Sequence, residues 1–144
     1  MARPKSNRIV NEPPLFSQFK TLGVKSQDIH RIVLSLDEFE AFRLADQLGY
    51  SHARAAEDME ISRSTFSRLI AKARKKIADF MISGGLLCIG GGSVHFRVNI
   101  LQCKDCGHLF KVQFNNDISK CPECHSGKLL NLAGGFGHGK CCMQ

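Results

Sequence analysis

No segment of the chain approaches the roughly 20 consecutive apolar residues that a membrane helix needs; the best run, Leu86-Leu87-Cys88-Ile89, is bounded by glycines. Its opening, Met1-Ala2-Arg3-Pro4-Lys5-Ser6-Asn7-Arg8, has no apolar segment behind the charges, so no secretory leader is expected. A nucleophile elbow, a phosphate-binding glycine loop and a paired-acid constellation are all missing, and no enzymatic activity is expected. Repeats are confined to two Cys-x-x-Cys units. A soluble, cytoplasmic protein without membrane partners is expected.

One further absence is local. Between Ile61 and Ala78 there is no acidic residue, whereas six basic ones occur: Arg63, Arg68, Lys72, Arg74, Lys75 and Lys76. Over the 144 residues, 20 Lys and Arg against 13 Asp and Glu give a formal charge of +7. Such a balance favours polyanionic partners, because neutralising phosphates releases counterions.

Composition changes near Gly84-Gly85 and Gly90-Gly91-Gly92. Before that point helical patterns dominate; after it come short strands and turns. The pattern predicts an irregular leader over residues 1–30, a helical domain over 31–92, a small β module over 93–132, and a flexible Gly/His/Cys tail over 133–144. The expected fold is a mainly α N-terminal domain followed by a small β module.

Within the helical part, Ser35-Leu36-Asp37-Glu38 reads as a capping box, where each side chain satisfies a free backbone N–H. The helix it opens carries Leu36, Phe39, Phe42, Leu44, Ala45 and Leu48 and stops at Gly49. A second helix runs from its N-cap Ser51 to about Met59, and Ser62 caps a third. In the third, Phe66, Leu69, Ile70, Ala73, Ile77, Phe80 and Met81 recur at helical spacing. A helix-turn-helix needs a small residue where its helices cross, a tight turn and apolar anchors on both sides. Ala56 meets the first need, Met59 and Ile61 flank the turn, and Phe66 and Leu69 anchor the second helix.

Near the start of that helix Arg63, Ser64, Ser67 and Arg68 face outward, where such a helix reads base edges in the major groove. Arg63 and Arg68 suit bidentate contacts to guanine or phosphate, and the two serines let the backbone approach. Lys72, Arg74, Lys75 and Lys76 suit phosphate contacts; a solvated basic face is the alternative. Arg3 and Lys5, with Arg8, form a candidate arm along a minor groove or phosphates, or a solvated tail. Double-stranded DNA is the expected partner, with a homodimer because helix-turn-helix proteins commonly read two half-sites.

Three stretches carry a resemblance: Met1-Ala2-Arg3-Pro4-Lys5, Leu34-Ser35-Leu36-Asp37-Glu38-Phe39-Glu40-Ala41-Phe42-Arg43-Leu44-Ala45-Asp46, and Ser62-Arg63-Ser64-Thr65-Phe66-Ser67-Arg68 through Ala73-Arg74. Over about residues 1–92 the chain resembles a family of small prokaryotic predicted DNA-binding proteins with a helix-turn-helix similar to sigma-factor region four. The resemblance implies a role in transcription regulation. It also marks a departure, since Glu60 stands at the turn position where that family usually has glycine.

Of seven cysteines, four form Cys103-Lys104-Asp105-Cys106 and Cys121-Pro122-Glu123-Cys124, separated by fourteen residues. Two such knuckles can converge four thiolates on one tetrahedral metal, and a reducing cytoplasm favours metal ligation over disulfides. Flanking alternation of Val94, Phe96, Val98 and Ile100, and of Phe110, Val112 and Phe114, predicts a strand, a knuckle and a return strand, resembling a zinc ribbon. Gly107 permits the tight turn after the first pair. One structural Zn2+ per chain is expected, with no open coordination position for catalysis. Iron in a rubredoxin-like site is the competing metal, but His125 stands where a rubredoxin has glycine. Lys104, Lys111, Lys120 and Lys128 partly offset a tetrathiolate's charge, and the module either touches nucleic acid, docks to transcription machinery or serves as a scaffold.

His138, Cys141 and Cys142 in the tail are either a second soft-metal site or a disordered end with reactive thiols. Cys88 reads as a buried core residue, and His30, His52 and His95 show no partner at ligand spacing. Three readings remain: a DNA-binding regulator, a metal- or redox-sensing regulator working through the tail, and a docking adaptor.

Overall fold

A computed structural model describes residues 7–25, 27 and 29–143. Among these, eight strands form three sheets alongside the helices. With 36% of the described residues helical and 21% in strands, the fold is mixed, which overturns the expectation of a mainly α domain followed by a small β zinc ribbon. The chain divides into two units, residues 1–9 with 16–94 and residues 10–15 with 95–144.

In the first unit, a three-stranded sheet has β4 (Leu86–Ile89) between β2 (Gln18–Lys20) and β3 (Arg31–Leu34). β2 runs antiparallel to β4, with Phe19 opposite Leu87; β3 runs parallel to it, with Ile32 opposite the same residue. A parallel neighbour needs a crossover connection, and the helices supply it. The sequence concealed this sheet for a physical reason. β2 is three residues long and exposed throughout, so it carries no alternation. β4 is the short apolar run 86–89, and a buried run of four has no periodicity to separate strand from helix.

β1 (Arg8–Val10) lies in the supposed leader as well and pairs with β5 (Val94–Phe96). Gly85, φ +121°, makes the approach to the sheet possible: a Cβ there would lie 2.3 Å from the His30 carbonyl oxygen, to which the Leu86 N–H donates.

The helices follow their caps. Ser35 forms the full capping box with Glu38 at the start of α1 (Leu36–Phe42), which continues as a π-helical turn, Arg43–Gln47. Ser51 caps α2 (His52–Met59) and Ser62 caps α3 (Arg63–Ser83). Leu34, Leu36, Met59, Phe66 and Ile70 are all at most 1% exposed and form the centre of this unit.

In the second unit β6 (Asn99–Cys103) is flanked by β7 (Leu109–Val112) and β8 (Leu129–Asn131), both antiparallel to it. The alternation read through residues 94–100 is therefore split between β5 and β6. A short helix α4 (Leu132–Gly135) follows, capped by Asn131 and fixed by Asn99, whose side-chain oxygen accepts from the Ala133 N–H at 3.0 Å.

Candidate nucleic-acid interface and metal centre

α2 and α3 are joined by residues 60–62, and the turn rests on Glu60. This residue caps α2 in the left-handed conformation, φ 56° and ψ 44°, and donates its N–H to the carbonyls of Ala56 and Glu57. The chain thereby turns sharply, and the Ile61 N–H also reaches the Ala56 carbonyl. Ala56, Met59 and Phe66 are buried at the joint. Ser62 then accepts from the Thr65 N–H at 3.2 Å and fixes where α3 begins.

Arg63, Ser64 and Arg68 are exposed on the first turns of α3, as are Lys72 and Lys75 further along, and Ser67 is half-buried. Ser67 Oγ lies 3.0 Å from Nδ1 of His52, whose ring stands edge-on to Phe66 at 5.3 Å. His52 thus holds one side chain of this surface, although its sequence neighbourhood gave no sign of it.

The basic residues of α3 fall into two groups. Arg74 makes two hydrogen bonds to Asp46, at 3.0 and 2.8 Å, and these raise its pKa further above the usual range. Lys75 pairs with Asp79, and Lys76 with the buried Glu38, each at 2.6 Å. Lys76 therefore helps hold α3 to α1. For Arg63, Arg68 and Lys72 no ion pair occurs among the described residues. Arg8, proposed for the N-terminal arm, is paired with Asp37 beside the Ser35 cap. Arg3 and Lys5 lie outside the described residues.

The second unit brings together Cys103, Cys106, Cys121 and Cys124, with all four sulfurs within 4.8 Å of one another. Cys103 to Cys124 is 3.5 Å and Cys106 to Cys121 is 3.6 Å. Tetrahedral ligation at about 2.3 Å per metal–sulfur bond requires edges of about 3.8 Å, so the donor set fits a metal with only slight expansion.

Two knuckles of similar construction produce this geometry, differing in which N–H reaches the first sulfur. Cys103 accepts from the Cys106 N–H, and Cys121 from the Glu123 N–H, at 3.5 and 3.4 Å. Each knuckle closes through a residue of positive φ whose N–H returns to the first cysteine's carbonyl: Gly107 (φ 79°) to Cys103, and His125 (φ 63°) to Cys121. Asp105 links them, accepting from the Ser126 hydroxyl.

The Cys106 N–H, acting against burial, brings the Cys103 thiol down to about 6. At Cys124 the Ser126 N–H is outweighed by Cys103 and the other neighbouring thiols and by burial, and the pKa rises to about 12. The Cys106 pKa is raised as well, and a cation among the sulfurs would favour the thiolate forms of Cys106 and Cys124.

A second group contains His95, His138, Cys141 and Cys142, whose donor atoms also lie within 4.8 Å of one another. In the tail a 3-10 turn, Lys140–Cys142, carries both cysteines, and Cys142 is buried. Burial, and then the charge of His95, lowers the His138 pKa. Sequence spacing gave no hint of His95, because β5 carries it to the tail from a distant part of the chain.

No helix among the described residues is long and apolar enough to cross a membrane. Residues 1–97 match the family described as "Protein of unknown function DUF134". The chain is 42% identical to a UPF0251 protein of Chloroherpeton thalassium over 132 residues, covering 92% of this chain and 87% of the relative. It is 39% identical to one of Pelotomaculum thermopropionicum, over 88% of this chain and 95% of the relative. A third, from Chlorobaculum tepidum, is 35% identical over 97% of this chain and 74% of its own length. With a match across residues 1–97 and relatives aligned through most of both chains, the protein belongs to the DUF134 family, which its UPF0251 relatives share.

Proposed function

We propose that the protein is a DNA-binding transcriptional regulator in which α2, the turn at Glu60 and α3 form a helix-turn-helix, and Cys103, Cys106, Cys121 and Cys124 hold one structural Zn2+. The observation that carries the DNA reading is the division of charge along α3. Arg74, Lys75 and Lys76 are occupied by acids of the same chain, while Arg63, Arg68 and Lys72 stand exposed on the earlier turns, without an ion pair among the described residues. The N-terminal part of a recognition helix is the part that reaches base edges. Arg63 and Arg68 would supply bidentate contacts, Ser64 a short hydrogen bond, and Lys72 a phosphate contact. Ser67, held by His52, would act from a fixed rotamer.

The four-cysteine set supports zinc, which favours tetrahedral thiolate sites and leaves no position open for catalysis. A homodimer reading two half-sites fits this role, and the exposure of Met81 and Ile82, 74% and 86%, near the end of α3 supports self-association. Binding to mixed duplex DNA across a salt series tests the proposal, comparing the native chain with Arg63→Ala/Arg68→Ala. Loss of the two bidentate contacts should weaken binding at every salt concentration, by about 1–3 kcal/mol for each one made to a base edge, while the native chain's affinity should fall steeply with salt. Absent or salt-insensitive binding by the native chain would overturn the regulator and leave the docking adaptor.

A further inference from the structure

The tail and β5 together build a set of donors that neither contains alone. Cys141 Sγ lies 3.4 Å from His138 Nδ1 and 3.7 Å from Cys142 Sγ. Cys142 Sγ lies 3.5 Å from His138 Nδ1 and 3.7 Å from His95 Nδ1. For a tetrahedral ion bound at about 2.3 Å to sulfur and 2.0–2.1 Å to nitrogen, sulfur–sulfur edges are about 3.8 Å and sulfur–nitrogen edges about 3.5 Å. All four distances fall near these values. We infer that His95, His138, Cys141 and Cys142 form a second metal site, distinct from the four-cysteine cluster, which takes a thiophilic divalent ion of the Zn2+ class.

The surroundings resemble those of a built site. The Phe96 N–H donates to Cys142 Sγ at 3.3 Å, matching the N–H to sulfur bonds of both knuckles. The His138 ring stands edge-on to Phe96 at 4.9 Å, which fixes its plane. The segment leading there contains Gly134, Gly135, Gly137 and Gly139, and ordering glycine costs more backbone entropy than ordering any other residue. Nevertheless Cys142 is only 7% exposed. An ion bridging β5 to the tail offsets that cost. Two thiolates with two imidazoles favour tetrahedral Zn2+, whereas Cu+ would be satisfied by the thiolates alone, and it is His95 that separates the two.

The inference stands independently of the DNA reading. To test it, the reduced, full-length chain is equilibrated with Zn2+, desalted, and its metal-to-protein ratio measured. Two equivalents are expected for the native chain and one for both Cys141→Ser/Cys142→Ser and His95→Ala; the retained equivalent reports that the four-cysteine cluster still folds. Co2+ titration of the native chain supplies a readout without any variant, since the second equivalent should add tetrahedral visible bands distinct from those of a tetrathiolate. One equivalent in the native chain, with no second set of Co2+ bands, overturns the site. Two equivalents retained by His95→Ala overturn its four-donor construction and leave a site of His138, Cys141 and Cys142 alone.

Discussion

Among the most deeply buried large side chains, the first unit contributes Phe66, Leu34, Leu36, Met59 and Ile70, whereas the second contributes Val10, Pro13, Cys103 and Cys121. The first list is a hydrophobic core in the ordinary sense: one aromatic and four long aliphatic or thioether side chains, drawn from a strand and three helices. Half of the second list is cysteine. Short strands with partly exposed faces bury too little apolar area to offset the entropy of ordering their chain, so a second unit built this way depends on cross-links. The comparison separates what holds α3 in place from what holds the knuckles in place, and it can be tested on either side.

The largest expected effect is on the metal side. Structural zinc contributes about 10–16 kcal/mol in small four-ligand modules, more than the net stability of a typical domain. Chelation under reducing conditions should therefore unfold residues 95–143 while the helical circular dichroism of α1, α2 and α3 persists. Simultaneous loss of both would show that the two units do not stand on different supports.

The core side is challenged by Phe66→Ala. Phe66 is 0% exposed and packs edge-on against His52, so its removal should cost the first unit about 3–5 kcal/mol. Denaturant unfolding followed by helical signal measures this, and the metal-binding stoichiometry of the folded variant should stay unchanged. A variant that lost its metal along with its helices would join the two supports that the comparison separates.

How much of this could be read from the sequence follows the same division. The three helices showed themselves through Ser35, Ser51 and Ser62, because a cap is a local event between residues three apart, and through the spacing of Phe66, Leu69, Ile70 and Ala73. The four-cysteine cluster was also visible, since each knuckle is local and the pair spacing restricts what they can do together. The sheet of the first unit was not, because its strands are three or four residues long and its central member has no alternation. Long-range polar partners were hidden in the same way. Nothing near His52 points to Ser67, nothing near Lys76 to Glu38, and nothing near His95 to Cys142. These pairings are set by tertiary packing and have no sequence period.

The smallest expected effect crosses both units. Glu60 and His125 are the only non-glycine residues with positive φ among those described, at 56° and 63°. Each sits at a hinge on which a candidate site depends, the turn before α3 and the closure of the second knuckle. A side chain with a Cβ in this conformation costs roughly 1–2 kcal/mol, whereas glycine adopts it freely but loses more entropy on folding. Glu60→Gly and His125→Gly should each therefore stabilise their own unit by about 0.5–1 kcal/mol. Thermal unfolding of the first unit and metal affinity of the second provide the readouts. Glu60→Gly also removes a negative charge from the turn that precedes α3, so DNA affinity should rise slightly and rise most at low salt. If Glu60→Gly destabilises the first unit instead, the Glu60 side chain makes a contribution to the turn that outweighs its backbone strain. The symmetry between the two hinges would then fail on the side held by packing.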